Sequence, residues 1–267
     1  MHETEDEDLY NNLFSIGPLT VHGYGLMIGL GVVCALVVGD KRAKKAGLDG
    51  EVIYSLGIVC VAAGMVGAKL LFCLLDFKSF IANPLSMLTG SGFVVYGGII
   101  TGVLTGVLYC RIKKHVFIKY FDISVVSIAL AQGFGRIGCF LAGCCYGRET
   151  HSFIGIMFHN SDVAPNGIEL IPTQIISSLG DFAIAFALMW FARKKPRDGA
   201  VSALYCILYS IGRFFIEFLR NDYRGSIGFM STSQFISVFI LLFGAAFMFI
   251  SLRRKQEAEP AAPQPEA

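Results

Sequence analysis

The stretch from Gly133 to Gly147 reads Gly-Phe-Gly-Arg-Ile-Gly-Cys-Phe-Leu-Ala-Gly-Cys-Cys-Tyr-Gly and sets one arginine, Arg136, in an otherwise apolar segment. A charge there costs a few kcal/mol on membrane-insertion scales unless it is paired or hydrated, so its position alone marks a candidate site. A second such stretch reads Tyr209-Ser-Ile-Gly-Arg-Phe-Phe-Ile-Glu-Phe-Leu-Arg220. Spacings of four, four and three predict one helical face for Tyr209, Arg213, Glu217 and Arg220. A buried structural ion pair accounts for Arg213 and Glu217 by themselves. Two arginines against one glutamate leave positive charge over, and Arg136 adds to it. Guanidinium stays charged and binds phosphate through two parallel hydrogen bonds, so the chemistry these residues suit is capture of an anionic headgroup, and within a membrane that anion is a phospholipid. Lys69 and, more weakly, Asp181 are further ionisable groups inside apolar segments.

Of the eight cysteines, Cys139, Cys144 and Cys145 cluster in sequence; the others mostly lie within apolar segments, where a thiol packs as a small hydrophobe. Packing is the default for the cluster too. A disulfide, a thiol activated by Arg136 one turn away, and a zinc site lacking a nearby fourth soft ligand are weaker alternatives. Neither a metal nor a cofactor is expected.

The elements that must position these residues are membrane spans. The chain is 54% hydrophobic and only 16% charged, well below the quarter or so of a soluble domain. Its apolar residues fall in blocks near 18–39, 52–75, 92–110, 121–142, 172–192, 200–220 and 232–251, each about the 20 residues that cross a bilayer. The expected fold class is therefore all-α, a polytopic membrane protein of seven transmembrane helices. Basic clusters follow the first, third, fifth and seventh blocks: Lys41, Arg42, Lys44 and Lys45; Arg111, Lys113 and Lys114; Arg193, Lys194, Lys195 and Arg197; Arg253, Arg254 and Lys255. The positive-inside rule then places the N-terminus outside and the C-terminus in the cytoplasm. The acidic residues 1–17 read as an extracytoplasmic N-terminus without a signal peptide, 18–252 as the seven-helix domain, and the Glu/Pro/Ala-rich 253–267 as a disordered cytoplasmic tail. On this topology the longest outer connection, 143–171, starts inside the Gly/Cys stretch. Gly25 and Gly29, and Gly98, Gly102 and Gly106, recur at four-residue spacing, a pattern that usually marks close helix packing. No nucleic-acid signature and no phosphate loop is present.

Seven short stretches in order carry a resemblance: Phe14-Ser-Ile-Gly-Pro-Leu-Thr-Val-His-Gly-Tyr-Gly-Leu-Met, Gly67-Ala-Lys, Gly97-Gly98, Gly135-Arg-Ile-Gly, Pro172-Thr-Gln, Gly199-Ala-Val and Arg213-x3-Glu217-x2-Arg220. With them the chain resembles the bacterial prolipoprotein diacylglyceryl transferase family. The resemblance implies a transferase of the bacterial cytoplasmic (inner) membrane. It would move the diacylglyceryl group of phosphatidylglycerol to the lipobox cysteine thiol at the end of a prolipoprotein signal peptide, the first step of lipoprotein maturation. It implies reacting groups at Arg213, Glu217, Tyr96 and Tyr24. It implies phosphatidylglycerol contacts at Arg136, Arg220, Tyr209, Gly97, Gly98, Gly138 and Lys69, with Gln174 and Gln234 at polar family positions. Phosphatidylglycerol, the prolipoprotein and surrounding membrane lipids are the partners implied.

The chain departs from the family pattern where polar groups are usual. Tyr96 replaces a histidine before Gly97-Gly98, and a phenol of pKa about 10 is a poor base at neutral pH. Cys139 and Cys144 stand for an asparagine and a glutamate, Ile176 and Ser177 for a Tyr-Glu pair, and Lys69 for an arginine. Two alternatives follow from these losses: a paralogous lipid-headgroup transferase with another acceptor, and a non-catalytic lipid-binding membrane protein of the same fold.

Overall fold

The computed structural model describes residues 12–16, 19–90, 92–159, 161, 163–221 and 226–253. The acidic residues 1–11, Gly17 and Pro18 of the first family stretch, and the tail from 254 onward lie outside the described residues.

Among the described residues, seven helices are long and apolar enough to cross a membrane: α1 Gly23–Lys45, α2 Glu51–Leu75, α5 Val95–Ile112, α6 Phe117–Leu141, α7 Thr173–Ala192, α8 Ala200–Ile216 continued by a 3₁₀ turn Glu217–Leu219, and α9 Thr232–Arg253. The short helices α3 (Phe77–Ala82) and α4 (Pro84–Thr89) fill the connection between α2 and α5. Large apolar side chains such as Ile58, Val66, Leu74, Phe186 and Phe243 point outward, while Gln174, Ser178, Asp181, Ser202, Ser210, Ser233 and Ser237 are buried. That inversion is what a hydrocarbon solvent imposes: lipid accepts leucine as readily as a protein core does, and polar groups must find partners inside.

Helix pairs form where side chains are small. Gly97 of α5 lies so close to Gly67 of α2 that an added Cβ would meet the Gly67 carbonyl oxygen at 2.3 Å, and one on Gly98 would meet that of Gly64 at 3.0 Å. Thr101 of α5 donates to the Ala63 carbonyl across the same seam and to the Gly97 carbonyl one turn back in its own helix. Gly138 of α6 packs on Tyr24 and Met27 of α1, and Gly133 leaves room for the Phe182 ring of α7, where Ser178 Oγ donates to the Gly133 carbonyl at 2.9 Å.

One end of the bundle is fastened by a carboxylate. Asp122, near the start of α6, accepts from Gly199 N (2.6 Å), Ser202 N (2.8 Å) and Ser202 Oγ (2.5 Å), so it caps α8 from another helix. Gly199 has φ +89°, a left-handed conformation that suits glycine, and a Cβ there would strike Ser251 and Phe247 of α9. This gives the Gly199-Ala-Val stretch a structural purpose. Arg42 donates to the Ile123 carbonyl at 2.8 Å, and Arg197 donates to that of Leu252. The basic ends of α1 and α9 and the basic α7–α8 connection therefore gather at the end opposite Arg136.

Two expectations need correction at this level. Residues 19–22 do not start the first span: β1 (Asn12–Ile16) and β2 (Leu19–His22) pair antiparallel, and α1 begins at Gly23. The alternation Leu19-Thr20-Val21-His22, with β-branched residues, favours the strand. Nor is Arg220 on the helical face of Arg213. The α-helix ends at Ile216, tightens to 3₁₀, and leaves Arg220 extended at φ −82°, ψ 152°.

Asp122→Ala removes three hydrogen bonds and the α8 cap at once, and should cost about 2–3 kcal/mol. Thermal unfolding of the detergent-solubilised chain reads this as a lowered midpoint, with Asp122→Asn losing less.

Candidate active site

At the other end, α6, α7 and α8 surround a cleft of about 260 Å³ lined by Arg136, Ile176, Ser177, Gly180, Asp181, Ile184, Tyr209, Gly212, Arg213, Phe215, Ile216 and Leu219. Two guanidiniums from different helices thus meet in one cavity whose remaining wall is largely apolar. Arg213 is held on both sides. Its Nη1 lies 2.7 Å from Glu217 Oε2, and its Nη2 donates to Ser233 Oγ at 2.8 Å. The side chains of the pair are 11% and 8% exposed. Arg136 forms no ion pair among the described residues, and Asp181, 7% exposed, is close enough to feel the charge of both arginines. Tyr209 lines the cleft and stacks on Tyr205, whose hydroxyl donates to Gln132 at 2.9 Å.

Arg136 is delivered to this place by the end of α6. The Cys144 N–H donates to the Cys139 carbonyl, the Gly143 N–H donates to that of Phe140, and Gly143 takes φ +64°. This is the glycine-terminated helix end in which the residue three before the cap meets the second residue after it. Here those residues are Cys139 and Cys144. The following loop is stitched to its neighbours through the backbone: Gly147 N to the Ile171 carbonyl, Arg148 N to that of Leu219, Asn221 N to that of Tyr146. Thr173 Oγ1 donates to the Cys145 carbonyl at 2.7 Å and Gln174 Nε2 to the Cys144 carbonyl at 2.9 Å. The Pro172-Thr-Gln stretch is therefore a clamp on the loop. Beyond it, Phe158, Ala164 and Leu170 form a small core with Phe140, Tyr146 and Ile168, and β3 (Ile156–Met157) pairs with β4 (Glu169–Leu170).

Arg220 is 6% exposed, bridges Gly147 through its backbone, and hydrogen-bonds the Cys145 thiol. None of the eight cysteines, all of them among the described residues, forms a disulfide. Cys139, Cys144 and Cys145 contact one another, and Cys145, beyond the end of α6, is held below the usual thiol range by hydrogen bonds from Cys139 and Cys144 and by Arg220.

The expected residues separate into groups. Arg136, Tyr209 and Arg213 line one cleft, Glu217 holds Arg213, and Tyr24 lies near Arg136 and the three cysteines. Gly138 acts as the contact that brings α1 to α6. Gly97 and Gly98 serve the α2–α5 seam and are not cleft-lining residues. Lys69, 8% exposed, donates to the carbonyls of Gly90 (2.6 Å) and Gly92 (3.1 Å) and lies over the Phe72 and Phe93 rings, so its charge holds the α4–α5 connection. Tyr96 is 40% exposed and also lies outside the cleft lining. Gln234 caps α9: Ser231 N donates to its Oε1 and its own N donates to Ser231 Oγ, both at 3.1 Å, a reciprocal capping box. Asp181 is the cleft residue that deserved more weight from sequence, because a carboxylate inside an apolar span signals a partner charge.

The sequence profile described as "Prolipoprotein diacylglyceryl transferase" matches residues 11–250. The chain belongs to the prolipoprotein diacylglyceryl transferase family. A "Phosphatidylglycerol--prolipoprotein diacylglyceryl transferase" of Clostridium tetani is 49% identical over 245 residues, 91% of this chain and 98% of that protein. The "Phosphatidylglycerol--prolipoprotein diacylglyceryl transferase 2" of Clostridium perfringens is 48% identical over 229 residues, covering 85% and 89%. The Clostridioides difficile relative is 30% identical over 245 residues, covering 91% and 96%. The family and the seven apolar helices make this a multi-pass membrane protein and a transferase.

Thr173→Val should free the Cys145 carbonyl at a cost of about 1 kcal/mol. Hydrogen exchange should show faster exchange confined to residues 143–149 with the rest of α6 unchanged.

Proposed function

We propose that the chain transfers the diacylglyceryl group of phosphatidylglycerol to the lipobox cysteine thiol of prolipoproteins, at the outer face of the bacterial cytoplasmic membrane. The observation that carries the reading is the pair of guanidiniums, Arg136 and Arg213, facing one largely apolar cleft between three spans in a member of this family. A cleft of that make suits a phosphate headgroup attached to acyl chains.

In the proposed reaction the acceptor sulfur forms a bond to the diacylglyceryl carbon that carries the phosphate. The carbon–oxygen bond breaks, glycerol phosphate leaves with the electron pair, and the thiol proton passes to that leaving phosphate. Negative charge grows on the leaving phosphate, and fixed guanidiniums stabilise it without reorganising. Arg136 is the headgroup anchor in this scheme. Arg213, oriented by Glu217 and Ser233, faces the breaking bond, and Tyr209 and Tyr24 orient the headgroup. Arg220, turned toward Cys145, supports the wall and stays out of first contact. Asp181 is the carboxylate placed to balance the two arginines while the cleft is empty. The positive-inside rule supports an outward-facing cleft, since the basic ends gather opposite to it. It gives the seven-helix domain, near 18–252, an outer N-terminus and a cytoplasmic tail.

In membranes holding phosphatidylglycerol and a lipobox peptide, Arg136→Ala should lower transfer by roughly 10²–10³-fold, and Arg136→Lys by less, since charge returns without the fork. Normal turnover by Arg136→Ala removes the anchor role. Tyr96→Phe should keep most of the activity, because the ring lies outside the cleft. Complementation of cells depleted of their own transferase, read by lipoprotein maturation, separates this activity from transfer to another acceptor.

A further inference from the structure

The sulfur atoms of Cys139, Cys144 and Cys145 all lie within 4.8 Å of one another. We propose that these three thiols form a binding site for a soft, thiophilic metal ion with three sulfur ligands.

The spacing is within reach of such an ion. With metal–sulfur bonds of about 2.3 Å, trigonal or tetrahedral geometry puts ligand sulfurs roughly 3.8–4.0 Å apart. Rotations at Cβ close the remaining gap, whereas a disulfide requires sulfurs about 2 Å apart. The backbone is built to produce the convergence. The helix end at Gly143 brings Cys139 and Cys144 together, and an apolar contact between those two positions is common in such ends. It gives no reason for a third cysteine.

Cys145 supplies that reason. It has φ +64°, a conformation that glycine or asparagine adopts more cheaply. The conformation is held by Thr173 on its own carbonyl and Gln174 on that of Cys144. Such conformations cluster at ligand-binding and active sites.

The electrostatics suit a cation with excess ligand charge. Three thiolates around a divalent ion carry one net negative charge, around a monovalent ion two. Arg220, 6% exposed, already hydrogen-bonds Cys145, and Arg136 lies one helical turn before Cys139. The C-terminal end of α6, with its negative partial charge, favours the cation as well. The thiols are half-buried, which leaves an entry path. Among the described residues no histidine or carboxylate joins the group. That favours soft ions content with sulfur alone, such as Cu(I) or Cd(II), or Zn(II) with an open fourth position. The proposal does not need the lipid-transfer reading to hold, although its cysteines lie beside Arg136.

Titrating Cd(II) into the reduced, detergent-solubilised chain tests this. A thiolate-to-metal charge-transfer band in the ultraviolet should saturate at one ion per chain. Cys139→Ser, Cys144→Ser and Cys145→Ser should each weaken binding roughly tenfold or more, while Cys60→Ser and Cys110→Ser should not. Where a serine variant fails to fold, alkylation of the unaltered chain followed by mass spectrometry decides: bound Cd(II) should protect Cys139, Cys144 and Cys145. No band, a band that survives loss of both Cys144 and Cys145, or protection of other cysteines overturns the proposal.

Discussion

A guanidinium inside hydrocarbon must have a partner, and much of this molecule is arranged around how three of them are accommodated. Arg213 is answered within its own helix by Glu217 and across to α9 by Ser233. Arg220 is answered by leaving the helix, pairing its backbone with Gly147 and turning its side chain to Cys145. Among the described residues Arg136 is answered at a distance, by Asp181. The three solutions differ in how much positive potential they leave over, and Arg136, which has no ion pair among the described residues, lines the cleft together with Arg213. A guanidinium in an apolar span without an ion pair among the described residues is suited to an anionic ligand.

The supporting structure follows from the solvent. Lipid gives apolar side chains no reason to associate, so the helices meet through glycines and through serine, threonine and glutamine hydrogen bonds. Gly67 against Gly97, Gly133 under Phe182 and Gly138 against Tyr24 are therefore as necessary as the charged residues, since each sets a distance that a methyl group would lengthen.

Much of this was legible in the chain. Seven apolar blocks found the seven spans, and Arg136, Tyr209 and Arg213 do line one cleft with Glu217 behind. What stayed hidden depends on distance along the chain. Asp122 caps α8 from residues 77 and 80 positions away, and no local pattern announces that. The carbonyl partners of Lys69 lie in a connection without periodicity, so the sequence does not reveal them. Gly97 and Gly98 belonged to a family stretch whose physical reason is helix contact. Arg220 follows a spacing that reads as helix, yet the change to 3₁₀ geometry at Glu217 breaks that face.

The backbone bridges between the 146–148 loop and residues 219–221 have a mechanical meaning. They weld the end of α8 to the end of α6, so the two rims of the cleft that carry Arg213 and Arg136 share one strap. Spreading these rims to admit a lipid of greater girth would have to bend the spans below the strap, because Thr173 and Gln174 hold the start of α7 to the same loop. The stiffest route into the cavity is thus from above, and the compliant one is sideways, from the plane in which the lipid already lies.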